Sequence, residues 1–436
     1  MRREWLRRDL NTLDMYSLVH ADSQSTFYLV MGFIALYSGK ESLFITIYAV
    51  LLLVSISLVY GEIGSRFPET GGSYLYVKQA MGRLAGFISA WMLMIDQAIM
   101  ISYGTLDTSI YISSYLGLEA PPQIIAVTFS TALYILTLLG IRESARVAMA
   151  IAAMDFIIVG VLLIGINLSY GLKTSPPYYG WKATEPGDIL VALSLASRGF
   201  TGVDAIGQLA GEAREPLIQI PRATFLTASI GSLYSLLLVS ILMDRISYQS
   251  LSQNPAIALL MIARSTPAIS WILEPLVVIN TASIMLIASL AGYIAFSRLA
   301  YMLSREAIVP PQLVRLHYRY RTPYLSLTIS YLISLLFILP GEVSFILEVY
   351  AIGSLFNYLM VSIALWIIGR RGELYGGLMG PRIRRVPITS IAGVILTITG
   401  LGINIIVKWS YIWILGVWLL TGFILYARYR EPKEGV

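Results

Sequence analysis

Long apolar runs recur from one end of this chain to the other, and they constrain its fold more than any other feature. A run of about 20 apolar residues forms a helix long enough to cross a hydrocarbon layer of roughly 30 Å. Inside that layer the backbone must satisfy its own hydrogen bonds, which favours helices. Only 13% of the residues are charged, against about 25% in soluble domains. A soluble fold is therefore excluded.

Twelve of these runs are predicted to be membrane-spanning helices, so the expected fold class is an all-α polytopic membrane protein. We number them spans 1 to 12. They cover residues 15–37, 43–65, 84–115, 124–139, 147–168, 189–209, 225–243, 269–303, 324–339, 343–368, 388–407 and 411–426.

The basic residues divide unevenly between the two sides of the predicted membrane. If the N-terminus is cytoplasmic, 23 of the 31 Lys and Arg residues lie in inner segments and 6 in outer loops. Cytoplasmic loops carry such an excess. We therefore expect a multi-pass protein of the cell membrane with both termini in the cytoplasm, and no nucleic-acid partner despite the net charge of +6. The start MRREWLRR runs into span 1 without a small-residue cleavage site, so we expect no cleaved signal.

Span 1 carries a polar stretch, residues 22–26, at membrane depth. A helix that began only at Thr26 would extend about 18 Å, too short to span, so the stretch must lie within the helix. A carboxylate there needs a cavity, a partner or a proton. Snorkelling of Asp22 from the inner helix end is the alternative, but adjacent polar residues face several directions. We predict that this stretch is half of a binding site, formed by Asp22, Ser23, Gln24, Ser25 and Thr26.

Span 6 contains a matching irregularity at residues 199–202. Each glycine weakens a helix by about 1 kcal/mol, and a nearby pair invites unwinding, although glycines also permit close helix packing. Arg198 and Asp204 flank the stretch, and charged side chains within the membrane need water or a partner group. We predict that spans 1 and 6 are both discontinuous and that the break in span 6 forms the other half of the site, with Gly199, Phe200, Thr201 and Gly202.

Interrupted helices in corresponding positions of two halves indicate a transporter's midplane site. Spans 1 and 6 are five spans apart, so spans 1–5 and 6–10 would form two repeats of opposite orientation. The expected organisation is a first repeat over residues 13–170, a second over residues 188–369, and two peripheral helices over residues 388–428.

Three inter-span segments carry a resemblance. Residues 60–82 read YGEIGSRFPETGGSYLYVKQAMG, with an acid, a proline and paired glycines before Tyr-x-Tyr. Residues 211–223 read GEAREPLIQIPRA, and residues 297–324 read SRLAYMLSREAIVPPQLVRLHYRYRTPY. Together these segments resemble the amino acid–polyamine–organocation superfamily, as found in prokaryotes. The resemblance implies a LeuT-like fold of ten helices in two inverted repeats plus two peripheral helices. It also implies secondary active transport by alternating access, driven by a proton or sodium gradient.

At the expected substrate site the chain departs from the family's usual pattern. Amino-acid carriers of the family usually have a Gly-Ser-Gly-Ile-Phe break in span 1, whereas this chain has no glycine before Gly32. An anionic Asp22 would suit an ammonium group or a metal ion. Potassium importers of the superfamily are similar in another way, with an Asp in span 1, a Tyr about two turns later and an Asp-Tyr pair in span 3. Here Asp22 and Tyr28 match, but span 3 has Asp96-Gln97. We expect an amino acid, amine or polyamine, with Gln97 contributing to the site, and keep a potassium importer as the alternative.

The coupling ion is left open between a proton and sodium. Asp155 lies in span 5. In some proton-coupled relatives this helix has a lysine that replaces sodium, but span 5 of this chain has no lysine. A sodium site between spans 1 and 8 would need hydroxyls near Ser283 or Ser289. The acids within the spans are Asp22, Asp96, Asp107, Asp155 and Asp204, and the candidate coupling residues are Asp96, Asp155, Asp204, Ser283 and Ser289.

Other functional classes find little support. The only histidines are His20 and His317, so no His-Glu-x-x-His zinc motif exists, and no nucleophile elbow or Walker loop is present. With no cysteine there is no thiolate metal site. We expect no enzyme activity, cofactor or bound metal, with an intramembrane enzyme as a remote alternative. The expected partners are a small-molecule substrate, a coupling ion and membrane lipid, and monomer and homodimer both stay open.

Overall fold

The computed structural model describes residues 10–67, 71–140, 145–170, 181, 185–199, 201–341, 343–372, 378 and 380–429. The helices are α1 (Thr12–Ser38), α2 (Ser42–Arg66), α3 (Gly72–Met81), α4 (Arg83–Leu116), α5 (Pro122–Leu138), α6 (Ala145–Tyr170), α7 (Pro186–Arg198), α8 (Ala205–Leu209), α9 (Pro216–Arg245), α10 (Tyr248–Gln253), α11 (Ala258–Arg264), α12 (Ser270–Arg305), α13 (Tyr324–Ile338), α14 (Val343–Val349), α15 (Ile352–Arg371), α16 (Ile388–Val407) and α17 (Ile412–Tyr429). Short 3₁₀ turns cover Gly39–Glu41, Ala210–Glu212, Pro255–Ile257, Pro311–Val314 and Trp409–Tyr411. One small antiparallel hairpin joins β1 (Arg382–Ile383) to β2 (Val386–Pro387).

The all-α fold class is confirmed, because every predicted span coincides with helix. Eight helical stretches in the described part of the chain are long and apolar enough to cross a membrane, and the first of them contains both α1 and α2. Spans 4 and 9 correspond to α5 and α13, which have 17 and 15 residues. Span 6 is divided between α7 and α8. The sequence did not predict α10 and α11, two short helices between α9 and α12.

The prediction that span 1 is discontinuous is wrong, because α1 runs unbroken over 27 residues. Its polar side chains bond back to their own helix: Ser23 donates to the carbonyl of His20, and Ser25 and Thr26 donate to that of Asp22. Such i−3 and i−4 bonds are compatible with a continuous helix. Unwinding is favoured by glycine or proline, and the first half of α1 contains neither.

Span 6 is broken as predicted, and span 10 is broken as well. Residues 201–204 form turns between α7 and α8, with Gly202 at φ +106°. In span 10, α14 ends before Ala351, whose φ of +87° lies in the left-handed region. A non-glycine residue there costs on the order of 1–3 kcal/mol and persists only where its surroundings hold it. The residue with the positive φ is an alanine and not a glycine, which is why the sequence did not predict the second break.

The centre of the molecule is formed by α1 and α4. Every residue from Met15 to Gly32 of α1 is buried, and α1 packs against α6, α7, α9 and α12. The two most extensive helix pairs are α4 with α12 and α2 with α9. At the periphery, α16 and α17 keep many apolar side chains exposed, among them Ile395, Trp413 and Leu420. These helices face the surface that lipid covers in a membrane protein.

Candidate functional site

A cluster of hydroxyl groups forms where α1 meets the break between α7 and α8. The hydroxyl of Tyr103, on α4, lies 3.0 Å from that of Ser25 and 3.1 Å from that of Thr26. Thr26 in turn lies 3.3 Å from Thr201 across the break, and Thr201 lies 2.8 Å from the Tyr350 hydroxyl. We call these five residues the hydroxyl cluster. It brings together the predicted halves of the site from α1 and span 6.

Asp22 lies directly against Gly202, with its carboxyl group in the space that a side chain at position 202 would need. A Cβ atom on Gly202 would be 2.5 Å from the carboxyl carbon of Asp22. The amide of Gly202 donates to the Tyr358 hydroxyl over 3.2 Å, and that hydroxyl donates to Asp204 over 3.0 Å. Glycine is therefore required here by both its positive φ and this close approach. Gly199 instead packs beside Phe27 of α1.

A small cavity of about 50 Å³ adjoins Asp22. That is enough for a few water molecules, since one needs roughly 10–15 Å³ by such a measure. The carboxyl groups of Asp22 and Asp204 line it together with the amides of Gln97 and Gln208, and Arg298 completes its charged lining. Gln97 therefore lines the same cavity as Asp22. Two acids and one arginine are the ionisable groups of the cavity wall.

Two further predicted residues lie near this region without joining the hydroxyl cluster. Ser23 bonds only to its own helix among the described contacts. Gln24 is buried, and its amide atoms have no hydrogen-bond partner within the described part of the chain. Phe200 lies outside the described residues, so its predicted role is untested.

Arg198 ends α7 immediately before the break and is completely buried. Its guanidinium carbon lies 3.8 Å from the ring centre of Tyr350 and 4.9 Å from that of Tyr103. These distances are within the range of cation–π attraction, roughly 6 Å. The arginine thus packs on two members of the hydroxyl cluster.

Asp155 of α6 is the centre of a second buried network, on the other side of α1. It accepts hydrogen bonds from Nε2 of His20 over 2.9 Å, from the hydroxyl of Tyr28 over 2.8 Å and from the amide of Asn280 over 2.5 Å. The other ring nitrogen of His20 lies 3.0 Å from the Tyr16 hydroxyl. The network joins α1, α6 and α12, the helices that the predicted coupling site would link.

The break in span 10 is stabilised by opposite charges at its two helix ends. Lys408 donates to the carbonyl oxygens of Leu347 and Tyr350 at the end of α14, over 2.8 and 3.0 Å. Asp96 of α4 accepts from the amide of Ser354 in the first turn of α15, over 2.6 Å. The helix dipole stabilises a cation at a helix C-terminus and an anion at a helix N-terminus. This arrangement holds Tyr350 beside Arg198.

The remaining candidates for ion coupling lie apart from the network around Asp155. Ser289 donates to the carbonyls of Met285 and Ile101 and packs against Gly104 of α4. Ser283 donates to its own helix at Ile279. Asp204 is bonded to Tyr358 and lies beside Gln208. Within the described part of the chain, no group of three or more His, Asp or Glu side chains is arranged to hold a metal ion.

Sequence reasoning missed several residues that the fold brings to these networks. Tyr103, Tyr350 and Tyr358 approach from α4 and from span 10, and their signal in the sequence is only that of ordinary aromatic residues in apolar helices. His20 and Asn280 are polar residues within predicted spans. That property marks them as candidates, but does not say which partner each would meet.

With the geometry established, comparison with known proteins identifies the family. The model of a family described as amino acid permease matches residues 10–424. The chain belongs to this family. The branched-chain amino acid permease BcaP of Bacillus subtilis (strain 168) is 23% identical over 98% of this chain and 94% of that protein. The Asc-type amino acid transporter 1 of Homo sapiens is 26% identical over 71% of this chain and 60% of that protein. The low-affinity putrescine importer PlaP of Escherichia coli (strain K12) is 24% identical over 66% of this chain and 65% of that protein.

Family membership confirms the resemblance to the amino acid–polyamine–organocation superfamily. This permease is a multi-pass membrane transporter and not an enzyme, since its relatives are transporters by name. The intramembrane-enzyme alternative is therefore set aside.

Proposed function

We propose that this permease is a secondary active transporter of amino acids or related amines, working by alternating access between the two sides of the cell membrane. The observation that carries the proposal is the meeting of the polar stretch of α1 with the break between α7 and α8. The two acids of the adjoining cavity, Asp22 and Asp204, suit an ammonium group, which amino acids, amines and polyamines all carry.

The domain organisation proposed is two inverted repeats over residues 13–170 and 188–369, with peripheral helices over residues 388–428. In support, the helices that pack together most extensively are five spans apart: α2 with α9 and α4 with α12. The excess of basic residues in the inner segments supports cytoplasmic termini. The broken helices provide the points at which one repeat would move against the other.

We propose a proton as the coupling ion and the pair formed by His20 and Asp155 as its carrier. The two side chains are 2.9 Å apart, buried, and connect α1 to α6. A proton bound there would change the hydrogen bonds that tie these helices together. The groups that face the pair are Tyr16 and Tyr28 of α1, Tyr234 of α9 and Asn280 of α12. Sodium coupling is less favoured, because among the described contacts Ser289 meets α4 and Ser283 meets only its own helix, and neither meets α1.

The first experiment is the melting temperature of the purified protein against a panel of amino acids, amines and alkali cations. A ligand that binds only the folded state stabilises it by about 2.7 kcal/mol at a hundredfold its dissociation constant. Stabilisation by an amino acid or amine is expected. A panel in which no amino acid or amine shifts the melting temperature would contradict the proposal.

The matched variant is Asp22→Asn, which preserves the size of the side chain and removes its charge. We expect it to abolish uptake into proteoliposomes while it elutes as a monodisperse protein. The control is Asp188→Asn, a partly exposed acid in the first turn of α7. Wild-type uptake by Asp22→Asn would return Asp22 to a snorkelling role at the helix end.

A potassium importer is the second candidate. The observation in its favour is the cavity wall, where Asp22, Asp204, Gln97 and Gln208 provide carboxylate and amide oxygens. Cation filters are built from such oxygens. Stabilisation by potassium or rubidium, with no response to amino acids or amines, would favour this candidate.

A further inference from the structure

Arg198 is a buried basic group near the site that the proposed function leaves unused. Its side chain is completely buried, and Nε and both terminal nitrogens have no hydrogen-bond partner within the described part of the chain. A buried polar group without a partner costs about 1–3 kcal/mol, and more when it is charged. Native proteins therefore rarely leave such a group without a ligand or partner.

Arg198 packs against two aromatic rings, which attract its charge but accept none of its hydrogen bonds. The rings of Tyr350 and Tyr103 lie 3.8 and 4.9 Å from the guanidinium carbon. Cation–π contacts of this kind use the ring face. The five N–H donors of arginine lie in the guanidinium plane, in a fork that matches a carboxylate.

The neighbouring carboxyl groups do not use these donors. Asp96 and Asp107 act on Arg198 electrostatically, but neither comes within the 4.0 Å of a salt bridge. Asp96 accepts from Ser354 at the start of α15, and Asp204 accepts from Tyr358. Asp107 is buried and its carboxyl oxygens have no hydrogen-bond partner among the described residues, but it too lies beyond salt-bridge distance. The N–H donors of Arg198 therefore have no hydrogen-bonded anion within the described part of the chain.

The backbone near the site offers few alternative donors for an anion. Because α1 is unbroken from Thr12 to Ser38, its amides are engaged within the helix. At the break, the amide of Thr201 donates to the carbonyl of Arg198, and that of Gly202 donates to Tyr358. The donors that remain are the amide of Gln24 and the charged side chain of Arg198, of which Arg198 is the stronger.

We propose that Arg198 binds the carboxylate of the transported substrate, so that this permease selects amino acids over the corresponding amines. The inference rests on the proposed function, since it requires an amino acid in the site. The ammonium group then lies toward Asp22, which the hydroxyl cluster connects to Arg198: Ser25 and Thr26 donate to the carbonyl of Asp22 and bond to Tyr103. The two charges of a zwitterion thereby meet opposite charges of the protein.

The test uses pairs of probes that differ only by the carboxylate: leucine and isoamylamine, ornithine and putrescine, and alanine and ethylamine. Binding to the purified full-length protein is measured by melting temperature over a range of concentrations. We expect the wild type to bind the amino acid of at least one pair 10- to 100-fold more tightly than its amine, the factor that a hydrogen bond to a charged group provides. In Arg198→Gln this preference should disappear, with the affinity for the amine changed less than threefold.

The control variant is Arg264→Gln, which removes an exposed arginine paired with Glu274 and should retain the wild-type preference. If Arg198→Gln does not fold, Arg198→Lys takes its place in the test. Lysine keeps the charge but lacks the planar fork, so we expect Arg198→Lys to show an intermediate preference for the amino acid over the amine. A variant at position 198 that keeps the full preference, or a wild type that binds each amine as tightly as its amino acid, would overturn the inference while leaving the proposed function intact. A wild type that binds no member of any pair would overturn both.

Discussion

The substitution Gly202→Ala tests the close approach between α1 and the break in span 6. The structure gives two separate reasons for a cost. Gly202 has φ +106°, where an L side chain is strained by on the order of 1–3 kcal/mol. A Cβ atom would also lie 2.5 Å from the carboxyl carbon of Asp22 and 2.7 Å from its Oδ1, and overpacking of this kind typically costs about 1–3 kcal/mol.

The expected sum is a loss of roughly 2–6 kcal/mol in the free energy of unfolding. In a chain of 436 residues this corresponds to a fall of roughly 2–12 °C in melting temperature, since the shift per kcal/mol decreases with size. Uptake should be lost as well, because Asp22 must move away from the cavity. The assays are the melting temperature of the purified protein and uptake into proteoliposomes.

The matched control is Gly187→Ala in the first turn of α7, where a Cβ atom would meet nothing within 4 Å. It should be neutral or stabilising by up to about 1 kcal/mol. The double variant Asp22→Ala with Gly202→Ala separates the two costs, because it removes the collision and keeps the backbone strain. Wild-type stability and uptake in Gly202→Ala alone would refute the described contact between Asp22 and Gly202.

Two other predictions concern the buried networks. Asp155→Asn presents an amide to donors such as His20, so we expect the free energy of unfolding to fall by about 1–3 kcal/mol. Uptake by this variant should no longer respond to an imposed pH gradient. Gradient-driven accumulation equal to that of the Asp188→Asn control would contradict proton coupling at the pair of His20 and Asp155. Lys408→Met removes the donor to two carbonyl oxygens at the end of α14. We expect the free energy of unfolding to fall by about 1–3 kcal/mol, measured as a lower melting temperature. A melting temperature equal to that of the control Lys40→Met, which changes an exposed lysine, would show that Lys408 does not support the break.

The spans could be predicted from the sequence because hydrophobicity over 20 residues is a local property. Span 11 was predicted at residues 388–407, the bounds of α16, and span 3 differs from α4 by one residue at each end. Continuity within a span was harder to predict. Polarity suggested a break in α1, but hydroxyl groups bonded back to their own helix and the break did not form. The break at Ala351 has no local signal, because its support comes from Lys408 and Asp96, 57 residues later and 255 residues earlier in the chain.

In the candidate site, too, some residues could be predicted from the sequence and others could not. Polar residues at membrane depth are costly, so Asp22, Gln97 and Asp204 could be selected from the sequence, and they do line one cavity. Their partners could not be predicted, since Tyr103, Tyr350 and Tyr358 resemble other aromatic residues of apolar helices. Asp155 was singled out by its span, but its pairing with His20 depends on how α1 turns against α6.

The sequence by itself determined the membrane class, the helical segments and the family, because each follows from local hydrophobicity or from short motifs. Only the tertiary structure decided that α1 stays continuous, that span 10 breaks, which acids are paired and that the donors of Arg198 have no partner in the described part of the chain. Those outcomes depend on side chains from helices far apart in the chain, and a buried charge is stabilised by whatever group the packing brings within a few ångströms of it.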